Sequence, residues 1–220
     1  MKRSFGVSVI AVFLTSGVLR AVVQCADQAM VIDLINSAGV PARNLEQAKR
    51  RASRILITTG TTILWRTNPE DVQGPIAGPA RAMLNYAVRL KIVSVAPRGV
   101  PNRTLAYSLP SVRIGANITI FYDRVERISQ DVEIDTGSML GLVIAHELGH
   151  IILRSTKHSP TGIMKSPWAK SDIQHAAARL GEFTFSERSI IRQCAIPDML
   201  SDVRSAMRVD RRRKALFAPE

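Results

Sequence analysis

Three of the four histidines in this chain of 220 residues lie close together in the sequence. Two of them, His146 and His150, form the pattern H-E-x-x-H with Glu147. On a helix, side chains four residues apart share one face, so both imidazoles can bind one Zn2+ ion. Glu147 would lie beside the open coordination position, where its carboxylate can take a proton from a water molecule and pass it to a leaving amine. The alternative is a packed helix whose histidines are hydrogen-bonded and bind no metal.

A catalytic zinc ion needs three protein ligands and a water molecule, so a third ligand must be found. His158 is the predicted third ligand, because the residues before it can end the helix and the turn after it can reverse the chain. The alternatives are that His158 is an ordinary loop histidine, or that Glu182 or Glu187 completes the site. His175 lies in a later amphipathic segment and is interpreted as a surface or core histidine.

The elements that must position these residues follow from hydrophobic periodicity. Residues 139–153 are apolar almost all round, which predicts a buried helix that carries the motif. Ser186 is a candidate N-cap for one of the helices that follow. The predicted strands are 30–35, 61–65, 86–95, 104–109 and 117–122; the predicted helices are 44–56, 139–153, 170–180, 185–194 and 198–207, with a helical turn at 123–129 and a loop at 68–80.

This order of elements predicts an α+β fold with a mixed sheet of about five strands, an early helix and an active-site helix. A small helical C-terminal subdomain follows. Residues 27–158 would form the catalytic subdomain and residues 159–207 the C-terminal subdomain, with a disordered basic tail at 208–220.

The N-terminus has the pattern of an export signal. Lys2 and Arg3 precede an apolar run over residues 5–19, which is shorter than the roughly 20 residues of a membrane-spanning helix. Residues 1–26 are therefore predicted to be a signal peptide, with an uncleaved anchor as the alternative. The cysteines, Cys25 and Cys194, can pair only if signal cleavage leaves Cys25 in the chain.

The overall composition is that of a folded protein, with 46% hydrophobic and 22% charged residues, which argues against disorder and collagen-like structure. The net charge of +12 raises the question of a nucleic-acid partner. No motif with interleaved aromatic and basic residues is present, so the charge is interpreted as surface solubility and no specific nucleic-acid partner is predicted.

The motif, the third histidine and the downstream sequence at 162–164 resemble the metzincin zinc metallopeptidases, in which a tight turn carrying a methionine underlies the zinc site. Residues 145–168 are most similar to a set of secreted bacterial metzincin-like proteins. The similarity extends to residues 38–41, to Trp65 and to residues 121–125, and so covers most of the exported chain.

The resemblance implies a metzincin-type sheet and one catalytic zinc ion. Met164 would occupy the methionine turn, and Trp168 would stand in the wall of the substrate pocket. The strand at 104–109 would be the edge strand above the cleft, able to hold an extended peptide by backbone pairing.

Several positions depart from the metzincin pattern. Metzincins have a glycine three residues after the second histidine and the third histidine three residues later, where this chain has Leu153 and Thr156; His158 comes two residues late. The related bacterial proteins have glycine at the position of Arg154, and a left-handed backbone there would cost arginine about 1 kcal/mol. Ser166 stands where some metzincins have a tyrosine, so no tyrosine ligand is assigned.

Together these features predict an exported zinc metalloendopeptidase, secreted or periplasmic, that acts on peptide or protein substrates. It is expected to be a monomer without stable membrane insertion after signal cleavage. One alternative is an exported metal-binding or structural protein that keeps the scaffold with little or no proteolytic activity. A further alternative is a polyanion-binding surface protein that uses the basic tail.

Overall fold

The computed structural model describes residues 28–67, 87–109 and 116–192, in which the chain forms one five-stranded sheet and five helices. The strands in chain order are β1 (Gln28–Asn36), β2 (Thr61–Arg66), β3 (Ala87–Val93), β4 (Ala106–Leu109) and β5 (Ala116–Phe121). The helices are α1 (Ala42–Ile57), α2 (Tyr122–Asp131), α3 (Thr136–Leu153), α4 (Lys170–Ala178) and α5 (Phe185–Arg192).

The sheet has the strand order β2-β1-β3-β5-β4. Its strands β2, β1, β3 and β5 run parallel, whereas β4 pairs antiparallel with β5 at the edge. In β3, Val88, Leu90 and Ile92 are buried, while Arg89 and Lys91 between them are exposed, so alternate side chains of the strand enter the core. The predicted α+β class with a mixed sheet of about five strands is confirmed.

The helix α3 lies in the centre of the core, with all but three of its eighteen residues buried. It begins at Asp135, whose side chain accepts a hydrogen bond of 2.7 Å from the Ser138 N–H. Gly141 allows α1 to approach closely, because a Cβ atom there would lie 2.9 Å from the Ala48 carbonyl oxygen. This burial explains why the sequence of α3 is apolar all round, and the predicted buried helix is confirmed.

The segment predicted as a helical turn at 123–129 is instead the ten-residue helix α2. The helix begins directly after β5, and Tyr122, Val125 and Ser129 are buried along it at helical spacing. Tertiary burial of this face stabilises a longer helix than the mixed polar sequence indicates.

The predicted N-cap at Ser186 is wrong, because this residue lies inside α5. Thr184 and Glu187 form the cap: the Glu187 carboxylate accepts from the Thr184 N–H at 2.7 Å, and the Thr184 hydroxyl accepts from the Glu187 N–H at 3.3 Å. This reciprocal pair satisfies two N–H groups at the start of the helix, whereas a single serine would satisfy one.

The structure does not test several other predictions. The predicted boundary between the two subdomains at 158/159 stays a prediction. Outside the described residues lie the predicted signal peptide at 1–26, the predicted loop at 68–80, the predicted helix at 198–207, the predicted disordered tail at 208–220, Cys25 and Cys194.

Candidate metal centre

The helix α3 carries His146, Glu147 and His150, and all three side chains line one cleft. One turn of helix separates the two histidines, and their Nε2 atoms lie 3.1 Å apart. Two nitrogens bound to the same tetrahedral zinc ion at 2.0–2.1 Å lie about 3.4 Å from each other. The histidine pair therefore has close to the spacing that a shared ion requires.

The hydrogen bonds made by the Nδ1 atoms determine which nitrogen of each ring is free to bind a metal ion. The Nδ1 atoms of His146 and His150 lie 2.7 Å from the carbonyl oxygens of Ile163 and Ser155, respectively. A carbonyl oxygen only accepts hydrogen bonds, so both Nδ1 atoms carry the hydrogen. Burial lowers the pKa of His146 to about 4 and also lowers the pKa of His150, so both rings are neutral at pH 7. Their Nε2 lone pairs therefore face each other, and a cation between them would stabilise this arrangement.

His158 approaches this pair from the loop after α3. Its ring stacks on His146, with the centroids 5.3 Å apart and the planes 23° from parallel, and it meets His150 edge-on at 4.9 Å. The candidate ligand atoms of the three histidines lie within 4.8 Å of one another, and His158 is the exposed member. The three histidines thus form a set that can bind a metal ion, and no second set of this kind occurs in residues 28–67, 87–109 and 116–192.

The loop that carries His158 begins at Arg154, which ends α3 in the left-handed backbone conformation, with φ 48° and ψ 40°. The N–H groups of Arg154 and Ser155 bond back to the carbonyl oxygens of Ile151 and His150, each at 3.2 Å. This reversal brings the Ser155 carbonyl to the His150 ring, so the local backbone orients a candidate ligand. The left-handed conformation considered for Arg154 is present in the structure.

Arg154→Gly is expected to stabilise the fold by about 1 kcal/mol, because glycine adopts the left-handed conformation without steric cost. Arg154→Ala keeps a Cβ atom and is the matched control, since it should retain most of the strain. Urea titration of the metal-free proteins measures the free energy of unfolding, and equal stability of the two variants would contradict the strain. Zinc affinity of Arg154→Gly, measured by chelator competition, should be unchanged or higher.

Met164 lies directly against α3 at Gly149. A Cβ atom at Gly149 would lie 2.3 Å from the Met164 Sδ atom, so the absence of a side chain at Gly149 makes room for the buried methionine. The Ser159 N–H donates to the Met164 carbonyl at 2.9 Å, which closes a tight loop. The preceding residue, Ile163, supplies the carbonyl oxygen that accepts the hydrogen bond from His146 Nδ1. Met164 is therefore packed on α3 next to the segment that carries the candidate ligands, and its role as a methionine turn stays a prediction.

The two glutamates considered as substitute ligands lie elsewhere. The Glu187 carboxylate is buried and accepts hydrogen bonds from the Ser159 hydroxyl and the Thr184 N–H. Glu182 is exposed and pairs with Arg188 at 3.4 Å. Glu187 therefore anchors the residue that follows His158, a role that sequence reasoning missed although the T-x-x-E spacing of its helix cap is visible in the sequence. His175, interpreted as a surface or core histidine, is exposed on α4.

Glu147 is 7% exposed, and its carboxyl group is held by the hydroxyl of Ser108 on β4. Burial raises the pKa of Glu147 to about 7, and the Ser108 hydrogen bond opposes that shift by favouring the carboxylate. A pKa near neutrality suits a group that both takes and gives a proton at pH 7. Sequence analysis missed Ser108, because strand periodicity shows which residues share a face but not which side chain they meet.

The raised pKa of Glu147 predicts a pH-dependent stability in metal-free protein. Between pH 4.5 and about 7 the folded chain retains a proton that the unfolded chain has lost, so this group lowers the stability of the fold as the pH rises. A shift of this size corresponds to about 3 kcal/mol.

The variant Glu147→Gln lacks this titration and should gain about 3 kcal/mol relative to the parent between pH 4.5 and pH 7. The histidine contributions are common to both proteins and cancel in the difference. Urea titrations at several pH values, with chelator present, measure the difference in the free energy of unfolding. A difference that is constant with pH would show that Glu147 titrates at its ordinary value.

The cleft beside the histidines has a volume of about 1060 Å³. The edge strand β4 lines one part of it, and Ser166, Pro167 and Trp168 line another. Trp168 is half-buried and meets the His146 ring edge-on, with the centroids 5.3 Å apart. The structure thus brings Trp168, the predicted pocket wall, to the candidate site. Within the described residues, β4 pairs with β5 only, so its other edge has no strand partner there.

No protein-family model matches this chain, and none of the curated proteins does. Among solved structures, the chain is similar to a zinc-dependent peptidase from Methanocorpusculum labreanum (strain Z), with 12% sequence identity and a TM-score of 0.48. The match covers 73% of this chain and 99% of that chain. The fold and the site of the present chain define a mixed α+β protein with a three-histidine set that can bind a metal ion.

Proposed function

We propose that this protein is a zinc-dependent endopeptidase in which His146, His150 and His158 hold one Zn2+ ion and Glu147 is the general base. One observation carries the proposal: two neutral imidazoles direct their Nε2 lone pairs at each other, 3.1 Å apart, beside a buried carboxyl group in a cleft. Nitrogen ligands from three histidines suit zinc in a catalytic site, where a fourth position is left for water.

The chemistry divides between the ion and the side chains. A zinc ion held there would supply a Lewis acid that lowers the pKa of a water molecule and polarises the substrate carbonyl. The Glu147 carboxylate takes a proton from the attacking water and delivers it to the nitrogen of the leaving amine. The Ser108 hydroxyl keeps this carboxylate oriented, and the carbonyl groups of Ile163 and Ser155 keep both helix histidines in the tautomer that presents Nε2.

The substrate is proposed to bind as an extended peptide along the edge of β4 that does not pair with β5. Backbone pairing with β4 would hold the peptide across the histidines, since Ser108 in this strand already contacts Glu147. Trp168, which contacts His146 and lines the cleft, would form one wall of the pocket for a substrate side chain. These roles follow the resemblance to metzincins, with Met164 as the methionine beneath the site.

Export belongs to the same proposal. The basic and apolar pattern of residues 1–26 supports a signal peptide, and the chain would then act as a secreted or periplasmic monomer on peptide or protein substrates. No specific nucleic-acid partner and no stable membrane insertion after cleavage are part of the proposal.

The test combines metal analysis with a cleavage assay. Purified protein should contain one zinc ion per chain and should cleave peptides from a fluorogenic library. A chelator should abolish the activity, and added zinc should restore it. A protein without zinc, or hydrolysis that is insensitive to chelators, would contradict the proposal.

The exposed position of His158 favours a second candidate, an exported metal-binding protein with little or no proteolytic activity. Ligand atoms up to 4.8 Å apart and a strained residue at Arg154 are compatible with a weaker third ligand. Stoichiometric zinc without cleavage of any library peptide would favour this candidate over the peptidase.

A further inference from the structure

Two arginines, Arg103 and Arg127, line the same cleft as the histidines. Both side chains belong to exposed residues. Within the described parts of the chain, neither guanidinium forms an ion pair or hydrogen bond with a neighbouring residue. Unpaired guanidinium groups in a cleft are available to a ligand that carries negative charge.

A third arginine, Arg124, ties the loop that carries Arg103 to the helix that carries Arg127. The guanidinium of Arg124, a buried residue on α2, donates to the carbonyl oxygens of Pro101 and Thr104, both at 2.6 Å, and of Val100 at 3.1 Å. These bonds hold the loop before β4 on α2. The loop carries Arg103, and Arg127 lies three residues after Arg124, on a neighbouring position of the same helix face. The loop that carries Arg103 is therefore tied to the helix that carries Arg127, and both arginines line the cleft.

The other charged groups that line the cleft do not neutralise Arg103 and Arg127. Lys165 also lines the cleft, but Asp172 pairs with it at 2.6 Å and offsets its charge. Glu147 is the single acidic residue among the cleft-lining residues that the structure describes, and it lies beside the histidines at Ser108.

The number of residues between Arg103 and Ser108 limits the distance from Arg103 to the reacting centre. Arg103 lies in the turn before β4, five residues ahead of Ser108. Five residues of fully extended chain span about 16 Å, so this is the upper limit of the separation along the chain. A peptide paired with β4 across the histidines would thus bring side chains up to about five residues from the reacting bond toward Arg103, which shares the cleft with Arg127.

We infer that Arg103 and Arg127 select peptides that carry carboxylate side chains several residues to one side of the cleaved bond. The inference rests on the proposed peptidase function and adds a substrate class to it, namely acidic peptides. Guanidinium groups suit this role because they bind carboxylates through paired hydrogen bonds and keep their charge at any physiological pH.

The test measures binding, so that it does not depend on turnover. The full-length Glu147→Gln protein, loaded with zinc, is titrated into fluorescein-labelled ten-residue peptides, and anisotropy gives the Kd. The peptides form two pairs, with Glu-Glu or Gln-Gln at the N-terminal end in one pair and at the C-terminal end in the other. In one of the pairs, the glutamate peptide should bind about fivefold tighter at low ionic strength, and added salt should reduce this preference.

Matched double variants assign the preference to the cleft. Arg103→Gln with Arg127→Gln should remove the preference, whereas Arg43→Gln with Arg50→Gln, two exposed positions on α1 outside the cleft lining, should retain it. Equal Kd values within both peptide pairs, or a preference that survives in the first double variant, would overturn the inference. Tighter binding of an oligonucleotide of equal charge, lost in that variant, would replace the acidic peptide with a nucleic acid.

The outcome separates this inference from the proposed function. If the parent chain cleaves no peptide, the proposed function fails, while the Kd comparison in the Glu147→Gln protein still decides the ligand preference. If the parent chain cleaves peptides and the preference is absent, the peptidase stands and the selection by Arg103 and Arg127 is wrong.

Discussion

Glu147→Gln is expected to lower the rate of peptide hydrolysis by at least about a hundredfold while zinc content and fold stay unchanged. The Glu147 side chain is buried, lines the cleft beside His146 and contacts the Ser108 hydroxyl. Glutamine has the same size and can accept the hydrogen bond from Ser108. The amide cannot take a proton from water, however, so the substitution slows the chemical step and leaves the fold unchanged.

The measurement is kcat and KM for a fluorogenic peptide, with zinc content by elemental analysis and thermal unfolding on the same samples. Glu182→Gln removes a carboxylate from an exposed position that is outside the cleft lining and serves as the control. A reduced kcat with an unchanged KM and one zinc ion per chain is the expected pattern. Undiminished turnover in Glu147→Gln would rule out Glu147 as general base.

His146→Ala is expected to weaken zinc binding by more than the roughly 10–100-fold that loss of an outer hydrogen-bond partner costs. His146 is only 9% exposed, and Ile163 holds its Nδ1 atom, so its Nε2 atom is fixed before an ion arrives. Removal of this ring deletes one of the three proposed ligands. This ligand is also the one whose orientation the core determines. His158→Ala should also lower the affinity markedly, but by less, because His158 is exposed.

Competition with a chromophoric chelator measures the zinc affinity of the parent and each variant. His175→Ala, which removes an exposed histidine on α4, is the matched control and should bind zinc as the parent does. His146→Gln keeps more of the buried volume and tests whether the loss reflects the ligand and not a collapsed core. Full zinc stoichiometry and unchanged affinity in both His146 variants would place the metal elsewhere.

The residues of the candidate site on α3 could be predicted from the sequence because their relation is local. A spacing of four residues on a helix places His146 and His150 on one face whatever surrounds the helix. The apolar run through 139–153 likewise indicates burial without reference to the partners of the helix. Alternation in β3 shows its buried side chains, since successive residues of a strand point in opposite directions.

Contacts between distant segments could not be predicted in this way. The Ile163 carbonyl that orients His146 lies 17 residues away, and Ser108, which holds Glu147, belongs to a different element. The same limit applies to Glu187, considered as a metal ligand from its residue type, which instead bonds to Ser159. A carboxylate suits both roles, so composition alone cannot choose between them.

The sequence by itself determined which residue types are available for chemistry and which of them share a helix face, because the geometry of a helix or a strand is the same in every protein. Only the tertiary structure decided that His158 returns to the helix pair, that Glu147 is buried against β4 and that Arg124 ties the loop of Arg103 to α2. These outcomes depend on how the sheet and helices pack. Packing is set by many weak contacts between segments far apart in the chain, which no local pattern records.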